Sequence, residues 1–127
     1  MPQAESSRRA CTDKSLVLTK ATLSSARLLG LKQRELAKII GISPSFISRM
    51  ANGETCLPEG QKPWELSLLL VRFFRGLDAL TGGDESISRE WLRNYNTDLK
   101  CRPIDLISSI QGLVNVVDYV DAFRAKV

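Results

Sequence analysis

The stretch from Gln33 to Arg49, QRELAKIIGISPSFISR, limits what this chain can fold into more than any other. Leu36 and Ile40 are four apart, so they share one face of a helix running from about Gln33 to Ile40. Ala37 is small where two helices would cross closely. Gly41 ends that helix, because the turn wants a left-handed residue. Ile42 follows into the core. Ser43 is an N-cap and Pro44 takes the first helical position, where its missing N–H costs nothing. Ile47 and Met50 supply the buried face of a second helix, and Asn52-Gly53 stop it. Two short helices at this spacing, joined by a tight turn, predict a helix-turn-helix.

The outer face of the second helix then carries Pro44, Ser45, Phe46, Ser48 and Arg49. In a helix-turn-helix this is the part that enters the major groove of DNA. Arg49 can fork onto guanine, Ser45 or Ser48 can reach a base edge or a phosphate, and Phe46 can press on a thymine methyl. Gln33, with Ser43 at the turn, completes the expected DNA-binding set. Gln33 opens the first helix, where its amide and nearby N–H groups can hold a phosphate.

Charge supports this placement. Residues 1–60 carry nine Lys/Arg against five Asp/Glu, whereas residues 61–127 carry nine of each. The whole net charge of +4 therefore lies in the half that holds the motif. A hydrophobic fraction of 43% in 127 residues suits one compact unit or two small ones sharing a core. No apolar run approaches the ~18–20 residues of a membrane span, and no signal-peptide pattern opens the chain, so a cytoplasmic protein is expected. Cys11, Cys56 and Cys101 are far apart in sequence, and an odd count with no C-x-x-C pair argues against a disulfide framework or a zinc site. The absence of histidine removes the commonest general base and metal ligand. No catalytic residue, metal or cofactor is expected, and the chain does not read as an enzyme.

The remaining segments read as an all-α fold. Residues 1–11 form a loose arm in which Arg8 and Arg9 are solvated or touch phosphates. A helix from about Asp13 to Leu29, capped by Thr12 or Asp13, packs behind the motif. Its expected faces are Leu16, Thr19/Lys20, Leu23 and Ala26/Arg27, with Val17, Ala21, Ser24 and Leu28 adjacent. The loop GETCLPEGQKP suggests a boundary near residue 60, dividing a DNA-binding unit, 1–60, from a second unit, 61–127. A long helix from Pro63-Trp64 to Leu80 is apolar on two sides: Leu66, Leu69/Leu70, Phe73/Phe74, Leu77 and Leu80, and separately Trp64, Leu68 and Val71. The second stripe predicts a dimer seam. A short helix capped by Asp84 or Ser86 points Ile87, Trp91, Leu92 and Tyr95 inward. Another, opened by Pro103 and ended by Gly112, buries Leu106, Ile107 and Ile110. The last helix, Leu113 to about Lys126, buries Leu113, Val116/Val117, Val120 and Phe123. No segment alternates as a half-buried strand does.

Two stretches resemble a known family. Residues 31–53 resemble the Xre-type, phage-repressor-like helix-turn-helix. From about residue 72 onward the chain resembles the toxin-binding domain of MbcA/ParS/Xre antitoxins, through Gly82, Trp91-Leu92, Asn96, Leu99, Pro103, Leu106-Ile107, Ser109, Gly112 and Val117. Tyr95 stands where that pattern often has proline, and Lys100-Cys101 where it often has glycines. The resemblance implies a type II antitoxin, a homodimer. Its partner would be a RES-domain toxin that consumes NAD+ by degradation or ADP-ribosyl transfer. It would block the toxin's cleft and bind a near-palindromic operator to repress its own operon. A plug for such a cleft should be a firm helix end with apolar and charged groups. The last helix fits, with Asp118, Tyr119, Asp121, Arg124, Lys126 and Val127 as the expected toxin-binding set. Two other readings stay open. One is a stand-alone repressor that needs no protein partner. The other is a pure neutraliser whose helix-turn-helix does not bind DNA, since residues 31–60 carry only four cations against three acids.

Overall fold

A computed structural model describes residues 11–126, seven helices with no strand among them and one isolated bridge between Asn96 and Cys101. Residues 1–10 of the expected arm, with Arg8 and Arg9, and Val127 at the other end, lie outside the described residues.

Helix α1, Asp13–Leu28, starts where Thr12 caps it, its hydroxyl accepting from the Ser15 N–H at 3.1 Å. Its buried face is the expected one in part: Thr19 and Ala26 are inside, but the rest of the stripe is shifted. Leu16 and Val17 are 43% and 69% exposed, and the inner stripe is Ser15, Leu18, Thr19, Thr22, Ser25 and Ala26. Three of its buried hydroxyls find partners, the first being Ser15, which accepts from the Thr12 hydroxyl at 3.2 Å. Thr22 donates to the Leu18 carbonyl at 2.7 Å, and Thr19 accepts from the Leu57 N–H at 3.0 Å. A polar stripe can therefore be buried at little cost, and it ties the loop after the motif to α1. Gly30, at φ +72°, turns the chain out of the helix.

The expectation against a disulfide is corrected here. Cys11 and Cys56 are bonded, with Cα atoms 6.0 Å apart across 45 residues of sequence. Sequence separation concealed the pair, because the α1–loop packing that joins them is tertiary. Cys101 is a free thiol.

Helices α2, Gln33–Ile40, and α3, Pro44–Ala51, form the predicted helix-turn-helix. Gly41 sits at φ +74°, and Ser43 accepts from the Phe46 N–H at 3.1 Å. Leu36, Ala37, Ile40, Ile47 and Met50 are all buried, as their spacing requires.

Helix α4, Lys62–Leu80, is the central element: its earlier turns meet α1 and α2, and it packs most extensively on the last helix. A Cβ on Gly76 would lie 2.6 Å from Val120 Cγ1, so this glycine sets how closely the two helices approach. Leu66, Leu70, Phe73 and Leu77 are buried as expected, whereas Leu80 is 38% exposed.

Helix α5, Glu85–Arg93, is capped by Asp84, which accepts from the Ile87 N–H at 3.2 Å. Ile87 and Tyr95 were expected inside but are 49% and 65% exposed; Ser88 and Leu92 are the buried pair. Ser88 and Thr81 hydroxyls meet at 2.9 Å, so a polar residue takes the place expected for Ile87. Asn96 then accepts from the N–H groups of Asp98 and Leu99 and folds the connection into a turn. Lys100 follows at φ +60°, the one non-glycine with positive φ among the described residues. It occupies one of the positions where the resembled pattern often has glycine. Lys100→Gly is therefore expected to stabilise the chain by roughly 0.5–1 kcal/mol, the left-handed strain less the glycine entropy. A thermal melt checks this, and a lowered midpoint would mean that entropy outweighs strain.

Helix α6, Pro103–Ile107, is short, and α7 spans Ile110–Lys126. Three expectations change here, two of them at the junction of these helices. Gly112 does not end α6; it lies in the first turn of α7, where the Ser109 hydroxyl accepts its N–H at 3.1 Å. A Cβ there would fall 2.0 Å from the Leu106 carbonyl oxygen, so the α6–α7 corner closes onto the glycine backbone. Ile110 and Phe123 are 54% and 41% exposed, not buried. Ile110 is lifted out by the corner, and Phe123 lies beyond Val120, the last core residue of α7.

Candidate nucleic-acid and partner interfaces

On α3 the cap and proline present Ser43, Pro44 and Ser45 to solvent, and Arg49 is exposed on the same outer side. Ser48 and Phe46 are half-buried. Phe46, expected on the outer face, packs its ring partly on the core, with the Arg49 guanidinium 5.7 Å above it. Glu54 lies 3.9 Å from Arg49 Nε, an exposed pair that solvent screens strongly. The ring and Glu54 together hold Arg49 along the helix. Gln33 is exposed at the first position of α2. Glu35 accepts from the Lys32 N–H at 2.8 Å and so serves one free donor at that helix start.

Two arginines that sequence reasoning missed join this motif to the second half. Arg93 on α5 grips Glu35 with both terminal nitrogens, at 3.1 and 2.9 Å, and reaches the Gly30 carbonyl at 2.9 Å. Arg89, one turn earlier, donates to the carbonyls of Leu28 at 3.2 Å and Arg27 at 3.4 Å. Together they cap the end of α1, where carbonyls lack helical partners. The Arg93 hydrogen bond holds the Glu35 carboxyl below its usual range, against the effect of burial. A signal existed in the i, i+4 arginine pair, but nothing local named its partners.

In the second half an aromatic ladder runs from core to surface. Phe73 is buried; Trp91 lies 6.0 Å from it, Tyr119 6.4 Å from Trp91, and Phe123 4.9 Å from Tyr119 by ring centroids. The Tyr119 hydroxyl donates to Asp98 at 2.7 Å, and burial followed by that bond raises its pKa above the ordinary tyrosine value. Asp121 is paired with Arg72 on α4. Of the expected toxin-binding residues, Tyr119 and Asp121 thus have partners within the chain, while Asp118 and Arg124 are exposed. The Lys126 side chain, like Val127, lies outside the described residues.

The expected seam residues also meet. Trp64, Leu68 and Val71 line one wall of a groove of about 430 Å³, and Val17, Leu18 and Ala21 of α1 line the other. Leu68 is 49% exposed and Val17 69%, so the groove opens an apolar strip to solvent. Among the described residues no cluster of three His, Cys, Asp or Glu side chains could hold a metal ion, and no helix is long and apolar enough to cross a membrane.

Two family models match the sequence. Residues 76–126 match the antitoxin Xre/MbcA/ParS C-terminal toxin-binding domain, and residues 23–59 match a helix-turn-helix model. No curated protein matched the chain.

Proposed function

We propose that this chain, which joins a helix-turn-helix to an Xre/MbcA/ParS toxin-binding domain, is the antitoxin of a RES-domain toxin and the repressor of its own operon. The observation that carries the reading is the pairing of these two domains in one chain, with α5 of the second clamped onto α1 and α2 of the first through Arg89 and Arg93. The antitoxin role rests on the matched toxin-binding domain. The choice of a RES-domain toxin, and of a blocked NAD+ cleft, rests on the family resemblance. The two parts divide near residue 60, with α4 opening the second.

The toxin-facing surface in this reading is the outer end of α7. Asp118, Arg124 and the exposed edge of Phe123 offer charge of both signs beside an aromatic ring, with Lys126 and Val127 beyond. Tyr119 and Asp121 hold that end firm through Asp98 and Arg72. A firm end loses little side-chain entropy on entering a cleft. The homodimer reading rests on the groove walled by Trp64, Leu68 and Val71, which a second copy would cover. A dimer would place two α3 helices in successive major grooves, roughly 34–36 Å apart, on a near-palindromic operator.

On the DNA, Gln33, Ser43 and Pro44 sit against the backbone, and Ser45, Phe46, Ser48 and Arg49 face base edges. Arg49→Ala is expected to weaken operator binding by on the order of 1–3 kcal/mol and to relax sequence preference. A gel shift at fixed salt reads it; operator affinity within error of wild type would remove Arg49 from base reading. For the whole assignment, the tagged chain is pulled down from cells expressing its native operon. A stoichiometric RES-domain protein, harmful alone and harmless with the chain, supports the antitoxin. Recovery of the chain alone, still bound to its upstream DNA, would favour a stand-alone repressor. Recovery with the toxin but no DNA binding would favour a pure neutraliser.

A further inference from the structure

A groove of about 690 Å³ lies between α1, the start of α2 and the end of α3. Its floor is apolar, built by Leu31, Leu36 and Ile47. Its rim carries three cations, Lys20 and Arg27 from α1 and Lys32 from the turn before α2, all exposed, and no carboxylate is among the lining residues. Neither Lys20 nor Arg27 has a side-chain ion pair among the described residues, whereas Arg72, Arg89, Arg93 and Arg102 all do.

The groove is continuous with the reading face. Gln33 at the start of α2 and Ala51 at the end of α3 both line it. Ala51 lies three residues beyond Ser48 and seven beyond Pro44, so it extends the same outer side of α3. A duplex that admits α3 into its major groove brings one of its strands along the flank of that helix. Cations over an apolar floor match what such a strand presents, namely phosphates over the carbon face of deoxyribose.

We infer that this groove seats the sugar–phosphate backbone of the operator, with Lys20, Arg27 and Lys32 as phosphate contacts that α1 and the turn add to those of the motif itself. The inference rests on the DNA-binding reading above. It explains why the motif segment can be only mildly basic: much of the positive charge that faces DNA comes from the helix behind it. These residues position the protein without reading sequence.

The test is a variant of the full chain, Lys20→Gln, Arg27→Gln and Lys32→Gln together. Glutamine keeps part of each side-chain stem and removes the charge. Binding to operator and to random duplex is measured from 50 to 300 mM salt, alongside wild type. The slope of log affinity on log salt should become shallower by about 3, one for each lost phosphate contact. Both duplexes should lose affinity by a similar factor, roughly tenfold or more near 0.1 M salt. Helical circular dichroism and toxin neutralisation should match wild type, which separates the effect from misfolding. If wild type binds the operator and the variant keeps its slope, the groove does not hold the backbone. A variant that keeps its slope but loses the toxin would assign the groove to the protein partner and overturn the inference. If wild type binds no DNA at any salt, the DNA-binding reading falls and the inference with it.

Discussion

Alanine at Gly112 is expected to lower the stability of the chain by roughly 3 kcal/mol, the upper end of what overpacking usually costs. Two effects compete. Glycine inside a helix is unfavourable, and alanine there normally gains about 1 kcal/mol. Against this, the new Cβ would fall 2.0 Å from the Leu106 carbonyl oxygen and 2.7 Å from its carbon. Those are backbone atoms at a corner closed by hydrogen bonds from Ser109, so they cannot swing away as a side chain could. The clash wins. For a domain of this size the loss corresponds to a fall in melting temperature on the order of 10 °C. A melt followed by circular dichroism reads it. An unchanged or raised midpoint would mean that the α6–α7 corner opens freely.

Removing residues 123–127 is expected to break toxin neutralisation while leaving the fold in place. Val120, 1% exposed, is the last residue of α7 in the core, so the cut falls outside the packed region. Tyr119 keeps its contact with Trp91 and its bond to Asp98. What goes is Phe123 and the charged end beyond it. If that end fills the toxin cleft, affinity should fall by roughly 30-fold or more, the level of an interface hot spot. Circular dichroism should show a cooperative melt near that of the full chain. Full neutralisation by a folded truncation would move the toxin surface elsewhere, with the exposed Ile87 and Tyr95 as the next candidates.

Legibility from the sequence followed the range of the interactions. The helix-turn-helix could be read almost residue by residue because its determinants are local. Ser43, Pro44 and Gly41 act on their own helix ends, and Leu36, Ile40, Ile47 and Met50 sit at fixed helical offsets. Helix α1 could be located but not oriented. Its buried stripe is mostly Ser and Thr, with only Leu18 and Ala26 apolar, and Thr19 finds its partner in the Leu57 N–H, 38 residues away. The Cys11–Cys56 pair and the Arg93–Glu35 clamp are likewise products of tertiary packing, across 45 and 58 residues. Ile87, Ile110 and Phe123 read as core on hydrophobicity alone, which does not show that α5 has few inward positions, that the α6–α7 corner lifts Ile110 out, or that Phe123 lies beyond the last core residue of α7. Departures from the family pattern were informative: Lys100 stands where the pattern often has glycine, and its backbone is left-handed.

For the candidate sites, the exposed outer face of α3 and the apolar strip on α4 were visible as residue patterns. The groove flanked by Lys20, Arg27 and Lys32 was not, because its cations come from two elements that only the fold brings beside Gln33.

The proposed function turns on one step, closure of the NAD+ cleft of a RES-domain toxin by this chain. The most direct measurement is NAD+ turnover by the purified toxin, titrated with the full chain at several NAD+ concentrations. Turnover should fall to background near stoichiometric antitoxin, and excess NAD+ should shift the titration to higher antitoxin. A stable complex that still consumes NAD+ at the rate of the free toxin would contradict it.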